Sequence, residues 1–332
     1  MPEAPAWYRH VAAPMVDQSD VAFRLTTVTY GATATWTQMY HMHDVLHNPD
    51  VLAHARRELE IGRQAPESIV GATGMRARQI VQLAGDDPAG LVEAARRLEP
   101  WADGVDLNLG CPQTRAQRGH YGGYLLSRKD WDQVEACVRA LVQGVRVPVS
   151  AKLRLCDYAP DTCALAVRLA QAGAQVITLH ARHVAPNRRR AGAARLGYVR
   201  DLVDALEAHE LHASQPGGRT AVLSNGNVRT ADDIAANLAY TRADGIMVGE
   251  PLLVRPDLFA GASEARWHVL STFLHLSARY RTAPLVHVQQ HVRAMLRAMP
   301  PGRETRAFAD ALLGTSDVDG MLYELDRYKA VC

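Results

Sequence analysis

Paired cysteines are the first thing missing from this chain. Its five cysteines, Cys111, Cys137, Cys156, Cys163 and Cys332, form an odd set with no CxxC spacing, which argues against a disulfide framework and against a zinc knuckle. Thiols in a reducing compartment and no bound metal are expected. Long apolar runs are missing too. None approaches the roughly 20 residues that cross a bilayer, and the opening MPEAPAWYRH has neither the basic start nor the apolar stretch of a secretory signal. The expectation is a protein of the cytoplasm or nucleus, away from membranes and with no obligate protein partner. Charge of one sign is not in excess either, with 37 Lys and Arg against 35 Asp and Glu, so a polyanionic partner would have to meet a local patch. The candidate patch is RHVAPNRRRAGAARLGYVR, which holds Arg182, Arg188, Arg189, Arg190, Arg195 and Arg200 without an acid. No GxGxxG or GxxxxGK segment occurs, so neither a classical dinucleotide fold nor a nucleotide hydrolase is supported.

What is present is an ordinary folding composition, 48% hydrophobic and 22% charged, enough for a substantial core. Short β-rich runs alternate with longer amphipathic ones, the signature of parallel βα units. The runs are HVAAPM (10–15), TATWTQM (33–39), QIVQLA (79–84), GVDLNL (104–109), VPVSAKLR (147–154), QVITLH (175–180), AVLSN (221–225) and DGIMVG (244–249). Eight such runs predict an α/β fold closed into a (β/α)8 TIM barrel, which takes roughly 250 residues. Helices are predicted over DPAGLVEAARRLE, RKDWDQVEACVRALVQG, DTCALAVRLAQAG and TADDIAANLAY, the last with Thr230 as N-cap and acids in its first turn. Between 44 and 78 turn residues interrupt any clear period, and no element is assigned. After about residue 262 the strand signals stop, and RWHVLSTFLHLSARY and LVHVQQHVRAMLRAM read as helices. The chain is therefore divided into a barrel domain, 1–262, and a small C-terminal helical domain, 263–332.

A (β/α)8 barrel carries its active site at the C-terminal ends of its strands. Those ends supply Pro14 and Met15, Gln82, Asn108 with Cys111, Lys152 with Arg154, His180 with Arg182, Asn225 with Gly226, and Gly249. Each alone has an ordinary explanation, since Asn and Gly make turns and a single His is more often structural. Their joint arrival at one rim points to a site. The densest motif is DLNLGCPQTRAQRGHYGGYLL (106–126), in which Asn108 closes a strand, Gly110 permits a turn and Pro112 constrains the backbone after Cys111. That poses a thiol at the barrel mouth, whereas Cys137 and Cys163 fall inside amphipathic helices and read as small buried apolar groups. SNGNVRTADDI and MVGEPLL, after the seventh and eighth runs, are phosphate-shaped, because barrels often hold a phosphate with the loops after their last two strands. With Lys152 and His180 on adjoining strands, a phosphate-bearing planar cofactor is the economical reading.

These blocks resemble the tRNA dihydrouridine synthases, and more particularly the eukaryotic branch that reduces uridines near the start of the D-loop. APMVDQSDVAFR (13–24), IVQLAG (80–85), DLNLGCPQ with RGHYGGYLL, VSAKLRL (149–155), TLHAR (178–182), SNGNV (224–228) and VGEPLL (248–253) match in order. The resemblance implies an oxidoreductase that converts uridine in the D-arm of tRNA to 5,6-dihydrouridine, with FMN as cofactor and NADPH as the reductant that recharges it. Pro14, Met15 and Val16 would line the isoalloxazine, with Gln82 and Lys152 in contact with the ring system. His180 would lie beside the flavin and the target base. Asn225, Gly226, Asn227, Gly249 and Glu250 would bind the ribityl phosphate end, and Asn108, Arg154 and Arg182 the substrate. Cys111 would be the general acid, protonating C5 after hydride from reduced FMN reaches C6; a thiol near its ordinary pKa of roughly 8.5 is mostly protonated at neutral pH. The chain departs from the family in carrying Arg195 and Leu196 where an acidic residue and Trp are usual. Two alternatives are an FMN barrel acting on a small molecule, of the dihydroorotate dehydrogenase or enoate reductase type, and a non-catalytic tRNA-binding relative. GCPQ followed by RGHYGG, with the helical tail, disfavours the first, and retention of Cys111, Lys152 and His180 disfavours the second.

Overall fold

A strand packed between a barrel interior and an outer layer of helices must be apolar on both faces, which alternate residue by residue. The computed structural model, which describes residues 7–70, 74–185, 192–261 and 265–329, has eight such strands: β1 (His10–Ala12), β2 (Ala34–His41), β3 (Arg78–Ala84), β4 (Gly104–Leu109), β5 (Val149–Leu155), β6 (Val176–His183), β7 (Ala221–Asn225) and β8 (Gly245–Val248). Each pairs in parallel with its neighbours in sequence, and β8 returns to β1 to close a barrel. Arg188, Arg189 and Arg190 lie outside the described residues, as does Cys332.

The alternation decides which side chains reach the site. Val105, Leu107 and Leu109 of β4, with Ala151 and Leu153 of β5, join the core beneath the helices, while Val11, Ala34, Ile80, Val176, Ala221 and Met247 fill the barrel interior. Period two then turns Asp106 and Asn108, and Ser150 and Lys152, toward the interior. In the ladder Gln82 stands beside Asp106, Asp106 beside Ser150, and Asn108 beside Lys152. β1 stops short of residue 15 for a local reason. Ala13 still donates to the Val248 carbonyl (2.8 Å), but Pro14 has no N–H, and Met15 donates instead to Ser19 Oγ (2.8 Å).

The helices start where side chains can satisfy their orphan amides. Asp87 accepts from Gly90 (2.7 Å) ahead of the helix Pro88–Leu98, and Thr230 forms a capping box with Asp233 ahead of Ala231–Thr241. The region between 44 and 78, unassigned in sequence, holds the helix Pro49–Gln64, with Asn48 as N-cap and Pro49 opening the first turn. Its buried stripe is Ala55, Glu58, Leu59 and Gly62. One small residue, one acid and one glycine hide the apolar period.

Past β8 and the short helix Glu250–Val254, four longer helices follow among the described residues: Arg266–Tyr280, Leu285–Leu296, Arg303–Leu313 and Val318–Lys329. Phe273, Val292, Leu312 and Leu325 belong to the same apolar cluster as Phe23 and Ile246, so this segment and the outer face of β8 share a core. His291, fully buried, closes the contact: its Nε2 lies 2.8 Å from Asp20 Oδ2, and its ring packs against Phe23 and Phe273. Among the described residues no helix is long and apolar enough to cross a membrane.

Candidate active site

The C-terminal ends of the strands surround one cavity of about 650 Å³. Every site residue expected from the sequence lines it: Pro14, Met15 and Val16 after β1; Gln82 on β3; Asn108 and Cys111 on and after β4; Lys152 and Arg154 on β5; His180 and Arg182 on β6; Asn225, Gly226 and Asn227 after β7; Gly249 and Glu250 after β8.

The turn that carries Cys111 is held by one amide side chain. Asn108 Oδ1 accepts from the backbone amides of Gly110 (3.1 Å) and Cys111 (2.9 Å), while its Nδ2 donates to Gln82 Oε1 (2.8 Å). Gly122 closes over this turn with φ 65°, and a Cβ there would stand 2.9 Å from Cys111 Cβ. No L-residue fits that approach. Cys111 is 7% exposed, and burial pushes its thiol above the usual thiol range despite a backbone hydrogen bond from Gln113 and the nearby charges of Arg154 and Lys152.

Three cations line the cavity from the two strands that follow β4. Burial, with Arg154 nearby, brings the Lys152 ammonium down to about 8. Burial, with Arg182 nearby, brings Arg154 down to about 10. Arg154 Nε donates to the Gly110 carbonyl (2.9 Å) and its Nη1 to the His183 carbonyl (3.2 Å), which ties β5 to the Cys111 turn. Arg182 Nη1 meets His180 Nε2 at 2.7 Å, and its Nη2 donates to Asn227 Oδ1 (3.2 Å).

The loops after β7 and β8 shape the far end. Gly226 has φ 129°, and a Cβ there would lie 2.6 Å from Ala194 Cβ. Asn227, left-handed at φ 55°, grips the backbone of Ala194 through both amide atoms, at 2.8 and 2.7 Å. Just ahead of the helix Ala231–Thr241, Asp233 accepts from the amides of Arg229 (2.7 Å) and Thr230 (2.9 Å). Arg182 and Arg229 both line the cavity at this end. Gln18, Met39, Gln113 and Arg229 also line it and were not singled out in the sequence. Met39 was legible in principle, as the residue paired with Gln82 across β2 and β3. Arg195, at the position that departs from the family pattern, stacks on Tyr198 at 5.0 Å and approaches His183 Nε2 at 3.2 Å. Among the described residues no group of three or more His, Cys, Asp or Glu is placed to hold a metal ion.

A family model described as dihydrouridine synthase matches residues 11–317. The chain belongs to the dihydrouridine synthase family. Its relatives include the tRNA-dihydrouridine(16/17) synthase [NAD(P)(+)]-like protein of Mus musculus, 32% identical over 284 residues, covering 86% of this chain and 54% of the relative. The tRNA-dihydrouridine(16/17) synthase [NAD(P)(+)] of Saccharomyces cerevisiae is 32% identical over 249 residues, covering 75% of this chain and 53% of the relative. This chain thus spans about half the length of these two relatives. The tRNA-dihydrouridine(20a/20b) synthase [NAD(P)+]-like protein of Mus musculus is 29% identical over 320 residues, covering 96% and 88% of the two chains. Among solved structures, the histamine dehydrogenase of Rhizobium sp. 4-9 superposes with a TM-score of 0.55 at 13% identity, over 81% of this chain and 49% of that one. That likeness concerns the fold of this dihydrouridine synthase family member and nothing finer.

Proposed function

We propose that this chain reduces uridines in the D-arm of tRNA to 5,6-dihydrouridine, with bound FMN as the redox group, NADPH as its reductant and Cys111 as the acid. One observation carries the reading: a buried thiol and three cations, Lys152, Arg154 and Arg182, line a single cavity at the barrel rim. The cavity suits FMN on its own geometry. Its volume is that of a cofactor-sized pocket, its β6–β8 end is lined by Gly226, Asn227 and Gly249 with the cations Arg182 and Arg229, which suits an anion, and Pro14, Met15, Val16 and Gln82 line the part proposed for a planar ring. Bound there, reduced FMN supplies the hydride that adds to C6 of the uracil.

The protein's own groups do the rest. Negative charge gathers on the uracil O4 as C6 is reduced, and Lys152 stabilises it. The proton for C5 leaves Cys111 Sγ, and the thiolate left behind recovers a proton from water. Burial, by raising the thiol, keeps that proton in place at neutral pH. Asn108 spends Oδ1 on two backbone amides and one Nδ2 proton on Gln82, which leaves its second Nδ2 proton for the base edge. A uridine in folded tRNA must be unstacked to enter, at a cost of a few kcal/mol, offset by phosphate contacts. The exposed Arg195 and Arg200 and the helices between Arg266 and Lys329 are the surfaces proposed for them.

Purified protein is expected to be yellow and to release FMN on denaturation. Colourless protein that cannot be reconstituted with FMN contradicts the proposal. The uridine-reducing step carries a pH signature as well. Lys152 is charged below about 8 and neutral above it, while the raised Cys111 thiol stays protonated through that range. Single-turnover rates of reduced protein with tRNA therefore fall as pH rises through about 8. Lys152→Arg, charged throughout, moves the falling limb upward; a limb unmoved by that substitution belongs to another group.

A further inference from the structure

Below the cavity, inside the barrel, a file of polar side chains is buried where a barrel of this kind is ordinarily packed with apolar ones. It begins at Ser150 on β5, whose Oγ donates to Asp106 Oδ1 (2.6 Å). Asp106 Oδ2 accepts from Gln82 Nε2 (2.7 Å). Gln82 Oε1 accepts from Asn108 Nδ2 (2.8 Å), and Asn108 Oδ1 accepts from the amides of Gly110 and Cys111. All four side chains are buried, Asp106 completely. Three strands contribute, and the file runs across them into the turn that presents the thiol.

The order of donors and acceptors along this file is not free. The amides of Gly110 and Cys111 can only donate, so Asn108 must turn Oδ1 toward them and Nδ2 away. Nδ2 then needs an acceptor, which fixes Gln82 with Oε1 toward Asn108 and Nε2 toward β4. Nε2 in turn needs an acceptor, and Asp106 Oδ2 is the atom that meets it. The backbone amides set the order at one end, and Asp106 completes it at the other, as the acceptor for the buried Nε2 of Gln82.

We infer that Asp106 is a positioning residue for the Cys111 turn, acting through Gln82 and Asn108 to orient the turn and, with it, the thiol. This rests on the proposed role of Cys111 for its catalytic meaning, but not for its structural one. Burying a carboxyl costs several kcal/mol in real proteins, and neither proposed ligand reaches Asp106, which does not line the cavity. The cost is offset by an acceptor for Gln82 Nε2 that an apolar residue of the same volume could not supply.

Two substitutions separate the cases. Asp106→Leu keeps the volume and removes the acceptor, so the buried Nε2 of Gln82 is left unpaired, Gln82 shifts toward another partner and pulls on Asn108, and the Cys111 turn loosens. Asp106→Asn keeps an acceptor for Gln82 and can place its own amide against Ser150 Oγ, so the order is restored. The first measurement needs no substrate: iodoacetamide labelling of Cys111, read by peptide mass spectrometry with half-buried Cys163 as internal reference. Asp106→Leu is expected to label at Cys111 about tenfold faster, Asp106→Asn within about threefold of the parent, and Cys163 at one rate in all three. The second measurement is single-turnover uridine reduction by FMN-loaded protein, where a displacement of about 1 Å costs on the order of 100-fold. Asp106→Leu should lose that factor and Asp106→Asn should recover most of it. If Asp106→Leu does not fold, Asp106→Ser, too short to reach Gln82, makes the same comparison. Folded Asp106→Leu or Asp106→Ser with parental labelling at Cys111 overturns the inference. Failure of the parent itself to reduce tRNA overturns the proposed function instead and leaves the labelling comparison to decide the file.

Discussion

Cys111→Ala protein retains FMN and accepts electrons from NADPH, yet reduces tRNA uridine about 100- to 10,000-fold more slowly in a single turnover, the usual contribution of a positioned acid. Neither cofactor binding nor flavin reduction calls on the thiol in this account, so only the last half of the cycle should suffer. The control is Cys137, which packs in the helix Trp131–Gly144 and whose thiol is pushed up to about 12 by burial, with Asp86 and Asp87 adding to it. Cys137→Ala opens a small cavity and lowers the unfolding midpoint, but leaves the chemical step alone. Cys111→Ala protein that oxidises its reduced flavin with tRNA at the parental rate assigns the proton to another donor.

Arg24→Met costs about 3–5 kcal/mol of stability, because it breaks a buried ion pair and strands its partner. Arg24 is 2% exposed and Glu58 is 1% exposed, with Arg24 Nη2 at 3.3 Å from Glu58 Oε2. The guanidinium also donates to Gln79 Oε1 (2.9 Å) and to the Ser19 carbonyl (3.1 Å), so the helix Val21–Thr29, the helix Pro49–Gln64 and β3 meet at this one side chain. Folded domains keep only about 5–15 kcal/mol in hand, so the loss is a large share of the total. Adding Glu58→Gln removes the stranded charge while keeping an acceptor for the Val21 amide, which Glu58 Oε1 now serves at 3.1 Å. The double variant should recover part of the loss. Urea unfolding of the three proteins checks this, and a single variant within about 1 kcal/mol of the parent contradicts the role given to the pair, since exposed pairs contribute no more than that.

The sequence was most legible where local chemistry and global architecture agree. Each βα unit announces itself by an apolar run, a polar stop and a capped helix, and the barrel follows from counting eight of them. The site residues were legible for the same reason, since the C-terminal end of a strand is a defined place, and the residues at those ends line one cavity. What escaped was whatever depends on contacts distant in sequence. The helix Pro49–Gln64 buries Glu58 because Arg24, far back in the chain, waits to pair with it, and no period in residues 44 to 78 reports that. Asp106 looked like the polar start of a motif, and only the ladder shows Gln82 and Ser150 on either side of it. The capping box at Thr230 was legible because all of its partners lie within one turn.

The most direct test of the account mixes FMN-loaded, NADPH-reduced protein with tRNA lacking dihydrouridine in the absence of oxygen, while flavin absorbance is followed. The account predicts that the flavin is reoxidised, and that one 5,6-dihydrouridine appears in the D-arm for each flavin oxidised. Reduced flavin that stays reduced in the presence of that tRNA, in protein shown to be folded and loaded, contradicts it.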